Sequence, residues 1–378
     1  MPSALIKSRW LPLLAFLIAI IVAIPSMRPL VPASVPSLSK AASRQPTPPS
    51  AMKSLFLPNP GASAHSVTLV ELGDGRIGAA WFSGSREGAA DVRIVYATFD
   101  GRSWSSAISV MERARAQHDT GRLVRKLGNP VLWRDAKGVL HLWFVSVGVG
   151  GWSGSAINHS QSTDDGRSWS QVERLVTSPF LNISTLVHGA PLALSDGGVA
   201  LPVYHEFIVK RPEWLRLDAH GKVLSKQRLP GAKSLLQPSA AVVEGQRILA
   251  LLRDAGPAHR IYASRSVDGG NHWDMAKATT LPNPNAGIAL LRLADGRLLL
   301  AGNPQDSNRN RLALQVSGDG GSTWSPPRIV EEGGSDDEYS YPALLQDRKG
   351  IVHLAYTWKR EKICHRRILP QTLKVPRP

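Results

Sequence analysis

Cysteine is nearly absent from this chain. Cys364 is the one thiol among 378 residues, so no intrachain disulfide can form and the core must carry the fold unaided. Acidic residues are scarce: 29 Asp and Glu stand against 45 Lys and Arg, a formal net charge of +16. That excess favours an anionic partner or substrate. It is not gathered into a basic tail. With no Cys/His finger and no aromatic pattern of the RNA-binding kind, nucleic acid is not expected to be the partner. HExxH and paired cysteines are missing, so no metal and no cofactor is expected. The glycine-rich stretch GVGGWSG (148–154) lacks the Lys-Ser/Thr ending that a phosphate loop needs.

Long apolar runs are missing as well, with one exception. Trp10 to Ile24 follows Lys7 and Arg9. It is shorter than the ~20 residues of a spanning helix and suits the apolar part of a secretory signal. It reads as a cleaved signal or as an uncleaved anchor with its basic end in the cytoplasm. The body is then exported, periplasmic or otherwise extracytoplasmic, and residues 10–24 tie it to the inner membrane if they are retained. The expected layout is a signal or anchor over 1–25, a linker rich in Pro, Ser and Ala over 26–53, one β domain over 54–370 and a tail over 371–378.

What the chain does have is a repeat. Two apolar runs joined by a tight glycine turn recur at 67–82, 129–145, 190–204, 238–253, 286–303 and 341–358, with Gly75, Gly138, Gly198, Gly245, Gly296 and Gly350 as the turn glycines. Strand repeats spaced by 47 to 63 residues indicate a β-propeller with one blade per repeat. Six hairpins give an all-β, six-bladed propeller. A second element recurs in phase. Ser162 to Trp169, Ser266 to Trp273 and Ser317 to Trp324 share the pattern S-x-D-x-G-x-x-W, and Thr98 to Trp104 is a degenerate copy. An Asp that accepts backbone N–H groups of its own turn explains these carboxylates as structural.

These hairpins and Asp-boxes resemble the sialidase (neuraminidase) superfamily, more closely its bacterial neuraminidase-like branch with BNR repeats, over roughly residues 60–365. The resemblance implies a six-bladed propeller, which the hairpin count gives independently. It also implies an exported, exo-acting glycoside hydrolase for a carboxylate-bearing sugar.

Hairpin geometry says where a site would form. The start of the first strand and the end of the second lie at one end of each hairpin, so in a propeller they ring one mouth. The starts are His65, Asn129, His188, Gln237, Asn285 and Tyr339 to Tyr341. The ends include Arg86, Tyr204, His205, Glu206, Arg253 and Asn303. The family pattern assigns carboxylate binding to Arg253 and Arg309 and nucleophilic attack to Tyr339 of Tyr339-Ser340. The family's first arginine falls at His65, and the glutamate that activates the tyrosine falls at Gln237. A glutamine is no base, though it can orient a hydroxyl; Glu338 and Glu206 are the substitutes at hand. The acid is expected in SREGAADV, as Asp91 or Glu87 beside Arg86, with Asp91 preferred. Arg253 also has a plain reading as an ion pair with Asp254. Arg122, Arg125 and Lys126 read equally as a solvated loop or a polyanion contact, and Trp152 as a sugar-stacking platform. Two alternatives to hydrolysis stay open. One is a polysaccharide lyase on a uronate glycan; the other is a propeller that binds an anionic glycan or a partner without turnover.

Overall fold

The computed structural model describes residues 54–178 and 182–373. The expected signal or anchor and the linker lie outside them. Each hairpin gains two outer strands and becomes an antiparallel sheet, and six such sheets make the propeller. Blade one runs Ser63–Glu71, Ile77–Gly84, Arg93–Phe99, Ile108–Met111, and blade two Lys126–Arg134, Leu140–Val147, Ser155–Ser162, Glu173–Arg174. In blade three the inner strand is broken into Thr185–Val187 and Leu192–Ala193, both paired with Val199–Glu206. Blade four begins at Leu235–Glu244 and blade five at Ala289–Arg292.

Blade six holds a finding the sequence reading lacked. Its inner strands Tyr339–Gln346, Val352–Trp358 and Lys362–Ile368 are completed by Leu55–Phe56 from the start of the domain. The two ends of the domain thus meet in one sheet, and Phe56 packs edge-on against Trp358 at 5.4 Å. At the other end the chain is held as far as Leu373, whose side chain is buried between blades five and six.

The core is divided rather than central. Six apolar clusters lie between successive blades, one of them joining blade six to blade one. Alternate side chains of an inner strand therefore enter different interfaces, which is why these strands read as unbroken apolar runs. Ile77–Gly84 and Leu140–Val147 are buried at every position.

The turn glycines behave as expected, with one shift of register. In blade three the left-handed residue is Gly197, at φ 80°, and not Gly198. Its N–H donates to Leu194 O at 3.1 Å, as Gly75 donates to Leu72 O. The Asp-boxes are structural. In the last of them Ser317 Oγ accepts from Gly321 N at 2.8 Å, Asp319 Oδ1 accepts from Thr323 N at 2.9 Å, and Trp324 packs between blades four and five. Ser317→Ala would leave the Gly321 N–H without its acceptor, a loss on the order of 1–2 kcal/mol. Chemical denaturation should show a lower midpoint, and an unchanged midpoint would contradict this role.

Candidate active site

The mouth is shaped by backbone strain. Ser66, Asn129, Gln237, Asn285 and Tyr341 all have left-handed φ between 45° and 57°. Four of them sit near the start of an inner strand, which slips register there, and Asn285 lies four residues before the inner strand of blade five. A non-glycine residue in this conformation costs on the order of 1–3 kcal/mol. The local result is a bulge that turns a side chain out of the strand's regular alternation and toward the axis.

Arg253 is the centre of what these bulges gather. Its Nε donates to Asn285 Oδ1 at 2.6 Å, and its Nη1 donates to Gln237 Oε1 at 2.7 Å and to Tyr341 Oη at 3.1 Å. All three partners are neutral. Asp254, the alternative partner, is turned away and accepts from Ser234 Oγ and Gly256 N. A buried guanidinium with no carboxylate partner among the described residues is a site for an incoming anion. The circle continues on the far side. Asn129 Nδ2 and Gln237 Nε2 both reach Tyr204 Oη, at 3.2 and 3.4 Å. Burial pushes the Tyr204 phenol up and keeps it protonated.

Tyr341 is flanked by two imidazoles. Its ring centroid lies 4.2 Å from that of His65 and 5.1 Å from that of His188. Burial, helped by the charge of Arg360, brings His65 down to about 3. Burial, helped by Arg253, brings His188 down to about 4. Both rings are therefore neutral near pH 7, and neither nitrogen of His65 has a hydrogen-bond partner among the described residues. Gly287 makes room for this cluster, since a Cβ there would stand 3.2 Å from His188 Nε2 and 3.5 Å from Gln237 Oε1. Below the cluster a channel of about 480 Å³ follows the inner strands through the propeller.

A second, charged group borders the first. Arg309 Nη2 donates to the Asn285 carbonyl at 2.7 Å, so Asn285 joins Arg309 to Arg253. Arg309 Nη1 also pairs with Glu338 Oε1 at 3.1 Å, and Arg360 Nε with Glu338 Oε2 at 2.7 Å. Arg360 Nη1 continues to Glu87 Oε2 at 2.6 Å. Burial alone would raise the Glu338 carboxyl. Hydrogen bonds from Arg360 and Ser340, with the charge of Arg309, outweigh it and bring the group to about 2.

Several expectations need correction. Tyr339 does not face the mouth. It is buried in the cluster between blades five and six, its hydroxyl 3.4 Å from Asp337 Oδ2. The phenol at the mouth is Tyr341. The reason is the bulge between Ser340 and Ala343, where left-handed Tyr341 leaves the strand's alternation. Asp91 is exposed and clamps its own loop, accepting from Ser85 N at 2.8 Å and Ser85 Oγ at 2.9 Å. Its carboxyl is held below the usual range, first by the Ser85 hydroxyl, which makes it a poor proton donor. Asn303 is spent on backbone, donating to Tyr339 O at 2.9 Å. Glu206 pairs with Lys210 at 3.4 Å, and His205 is half-buried beside Phe207; neither joins the Arg253 cluster. Arg86 and Glu87 line a rim cavity beside the mouth.

The sequence reading missed Arg360. Lys359 and Arg360 are the central residues of the turn that Glu361 N closes onto Trp358 O, with φ of 53° and 58°, a conformation usually taken by Asn or Gly. The signal was available: TWKREKI leaves only the three residues Lys359 to Glu361 between strands at the mouth end of the hairpin.

The BNR repeat-like domain family matches residues 75–354, well over half of the chain. No curated protein sequence matches it. Among solved structures, a Hadza microbial sialidase, Hz136, superposes with a TM-score of 0.70 at 17% identity, covering 83% of this chain and 67% of that one. The NanB sialidase of Streptococcus pneumoniae gives 0.68 at 12%, covering 85% and 71%. The intramolecular trans-sialidase of Ruminococcus gnavus gives 0.65 at 14%, covering 85% and 98%. At such identities the likeness establishes the fold and not the chemistry. With the BNR match, the six blades and the Asp-boxes, the chain belongs to the BNR repeat-like domain family and has a sialidase-like propeller fold.

Proposed function

We propose that this protein is a carbohydrate-active enzyme that cleaves the glycosidic bond of a carboxylate-bearing sugar. The observation that carries this reading is Arg253: a buried guanidinium held by neutral groups, 3.1 Å from the phenol of Tyr341. In the hydrolytic route, the sugar carboxylate pairs with Arg253 and Arg309 through parallel N–H bonds. The Tyr341 oxygen attacks the anomeric carbon while the bond to the leaving oxygen breaks. Water then releases the sugar and restores the phenol. A neutral phenol avoids the repulsion a carboxylate nucleophile would meet beside an acid sugar, and tyrosine nucleophiles are a known exception among glycosidases. Glu87, the other carboxyl considered for the acid, is ion-paired with Arg360 at 2.6 Å, so in this route the proton released by the Tyr341 phenol passes through solvent to the leaving oxygen. Export to an extracytoplasmic compartment goes with this reading and rests on the sequence of residues 10–24.

One feature supports a second route. Gln237 occupies the place of a base, and no carboxylate hydrogen-bonds to Tyr341 among the described residues. Tyr341 and the neutral imidazoles of His65 and His188 around a carboxylate-binding arginine suit β-elimination from a uronate. There a base removes the proton beside the carboxylate, and the leaving oxygen departs with the bond electrons, leaving a double bond in the sugar.

The test is turnover of an aryl sialoside and of uronate oligomers by the 54–378 fragment. Tyr341→Phe should lower activity by about 10³-fold, the scale of deleting a reacting group, while Tyr339→Phe should stay within a few-fold. Product absorbing in the ultraviolet identifies elimination. Equal loss in both variants, or binding without any turnover, defeats the reading.

A further inference from the structure

Beside the mouth, between blades one, two and six, lies a cavity of about 520 Å³. Its wall includes Ser85, Arg86, Glu87, Lys126, Trp152 and Arg360. Two of its four cations are already engaged: Arg360 holds Glu338 and Glu87, and Lys359 holds Asp337. Lys126 and Arg86 have no carboxylate partner among the described residues. Lys126 is nonetheless placed. Its Nζ stands 4.3 Å from the Trp152 ring centroid, a cation–π contact that fixes a flexible side chain.

The sequence builds this placement. Gly150 and Gly151, at φ 88° and 65°, turn the loop that ends in the short helix Gly151–Gly154 and carries Trp152 inward. The ring settles on Gly128, where a Cβ would come within 3.1 Å of it. Lys126 lies three residues before Asn129, roughly 10 Å along the same inner strand at the usual rise. That is the scale of one to two sugar units from the Arg253 cluster. Of the two glutamates on this wall, Glu87 is paired with Arg360 and Glu361 is exposed to solvent.

We propose that this rim cavity is a second anion subsite, taking the carboxylate or sulfate of a sugar that follows the one in the mouth. The preferred substrate is then a run of anionic sugars and not a single acid capping a neutral chain. This deepens the proposed function and rests on it for the occupant of the mouth. Lys126 is the specificity-determining residue, Trp152 positions it, and Arg86 adds charge from the loop above.

The experiment is calorimetric titration of the full chain with sialyllactose, which carries one acid, with disialyllactose, which carries two, with trigalacturonate, and with a sulfated heparin hexasaccharide. Each is measured for wild type, Lys126→Gln, Lys126→Arg and Arg253→Ala. Multiply charged ligands should bind at least about tenfold more tightly than sialyllactose, and high salt should erase the difference, as for exposed charge contacts. Heparin carries sulfates as well as carboxylates, so tighter binding of it than of trigalacturonate marks sulfate as the group the rim prefers, and equal binding marks carboxylate. Lys126→Gln should abolish the preference while sialyllactose binding stays within twofold, and Lys126→Arg should keep it. A preference that survives Lys126→Gln, or none in wild type, overturns the rim subsite. Failure of the mouth reading looks different: Arg253→Ala would leave sialyllactose binding untouched while Lys126→Gln still weakened the multiply charged ligands.

Discussion

Replacing Arg253 with alanine is expected to weaken binding of an acidic sugar by about 10²- to 10³-fold. Deleting one partner of a buried charge pair costs about 2–5 kcal/mol, and each 1.4 kcal/mol is a factor of ten. The effect should fall on the acid. A neutral analogue, the sugar with its carboxylate reduced to an alcohol, should lose little. Arg253→Lys should recover only part, because an ammonium cannot reproduce the planar set of bonds to Asn285, Gln237 and Tyr341. Melting temperature serves as the control for folding. Acid and alcohol weakened alike would mean that Arg253 holds the mouth together and does not read the carboxylate.

The second large effect is on stability against acid. His65 and His159 are brought to about 3 and His188 to about 4, each chiefly by burial. His141, His205 and His365 are lowered by the same cause. Above about pH 7 neither the folded nor the unfolded chain binds a proton at these rings. As pH falls through ~6.5 the unfolded chain takes up protons that the folded one refuses, so stability is lost progressively down to about pH 3. At pH 5 each of the three strongly lowered histidines removes about 2 kcal/mol. Together that is on the order of 6 kcal/mol, from a total that is typically about 5–15. The carboxylates act lower. Glu338, Asp164 and Asp319, all brought to about 2, lose their contribution from about pH 4 downward. Melting temperature should fall by about 10 °C between pH 7.5 and pH 5. His159→Gln should flatten the slope. A melting temperature constant across that range would show that these rings are not neutral and buried together.

Three of these histidines, His141, His159 and His365, belong with His353 to a pattern that repeats in the sequence. DAKGVLH (135–141) and DRKGIVH (347–353) are the same turn in blades two and six. In each, the turn aspartate approaches the first histidine, and that histidine shares a 2.9 Å hydrogen bond with a stacked histidine on the next strand. The blade architecture was legible for the same reason: hairpin turns and Asp-boxes depend on local chemistry, and local chemistry repeats visibly. Gly197 for Gly198 was a slip of one residue within that scheme.

The site was harder to read. A strict alternation puts Tyr339 and Tyr341 on one face, and the choice between them turns on a single left-handed φ. Arg360 reaches the mouth from a short turn that contains neither Asn nor Gly. Leu55–Phe56 is too short a strand to register as periodicity, and its partner lies some three hundred residues away. Asn129, Gln237, Asn285, Tyr204 and Arg253 were foreseen as a ring because strand starts and ends had to meet there. Their hydrogen bonds were not, since those depend on the bulges.

A crystal structure with an acid sugar bound tests the central claim most directly. The account predicts the carboxylate within about 3 Å of the guanidinium groups of Arg253 and Arg309, with the anomeric carbon over the Tyr341 oxygen. A sugar bound elsewhere, or one whose carboxylate faces solvent while Arg253 stays closed on Gln237 and Asn285, would contradict it.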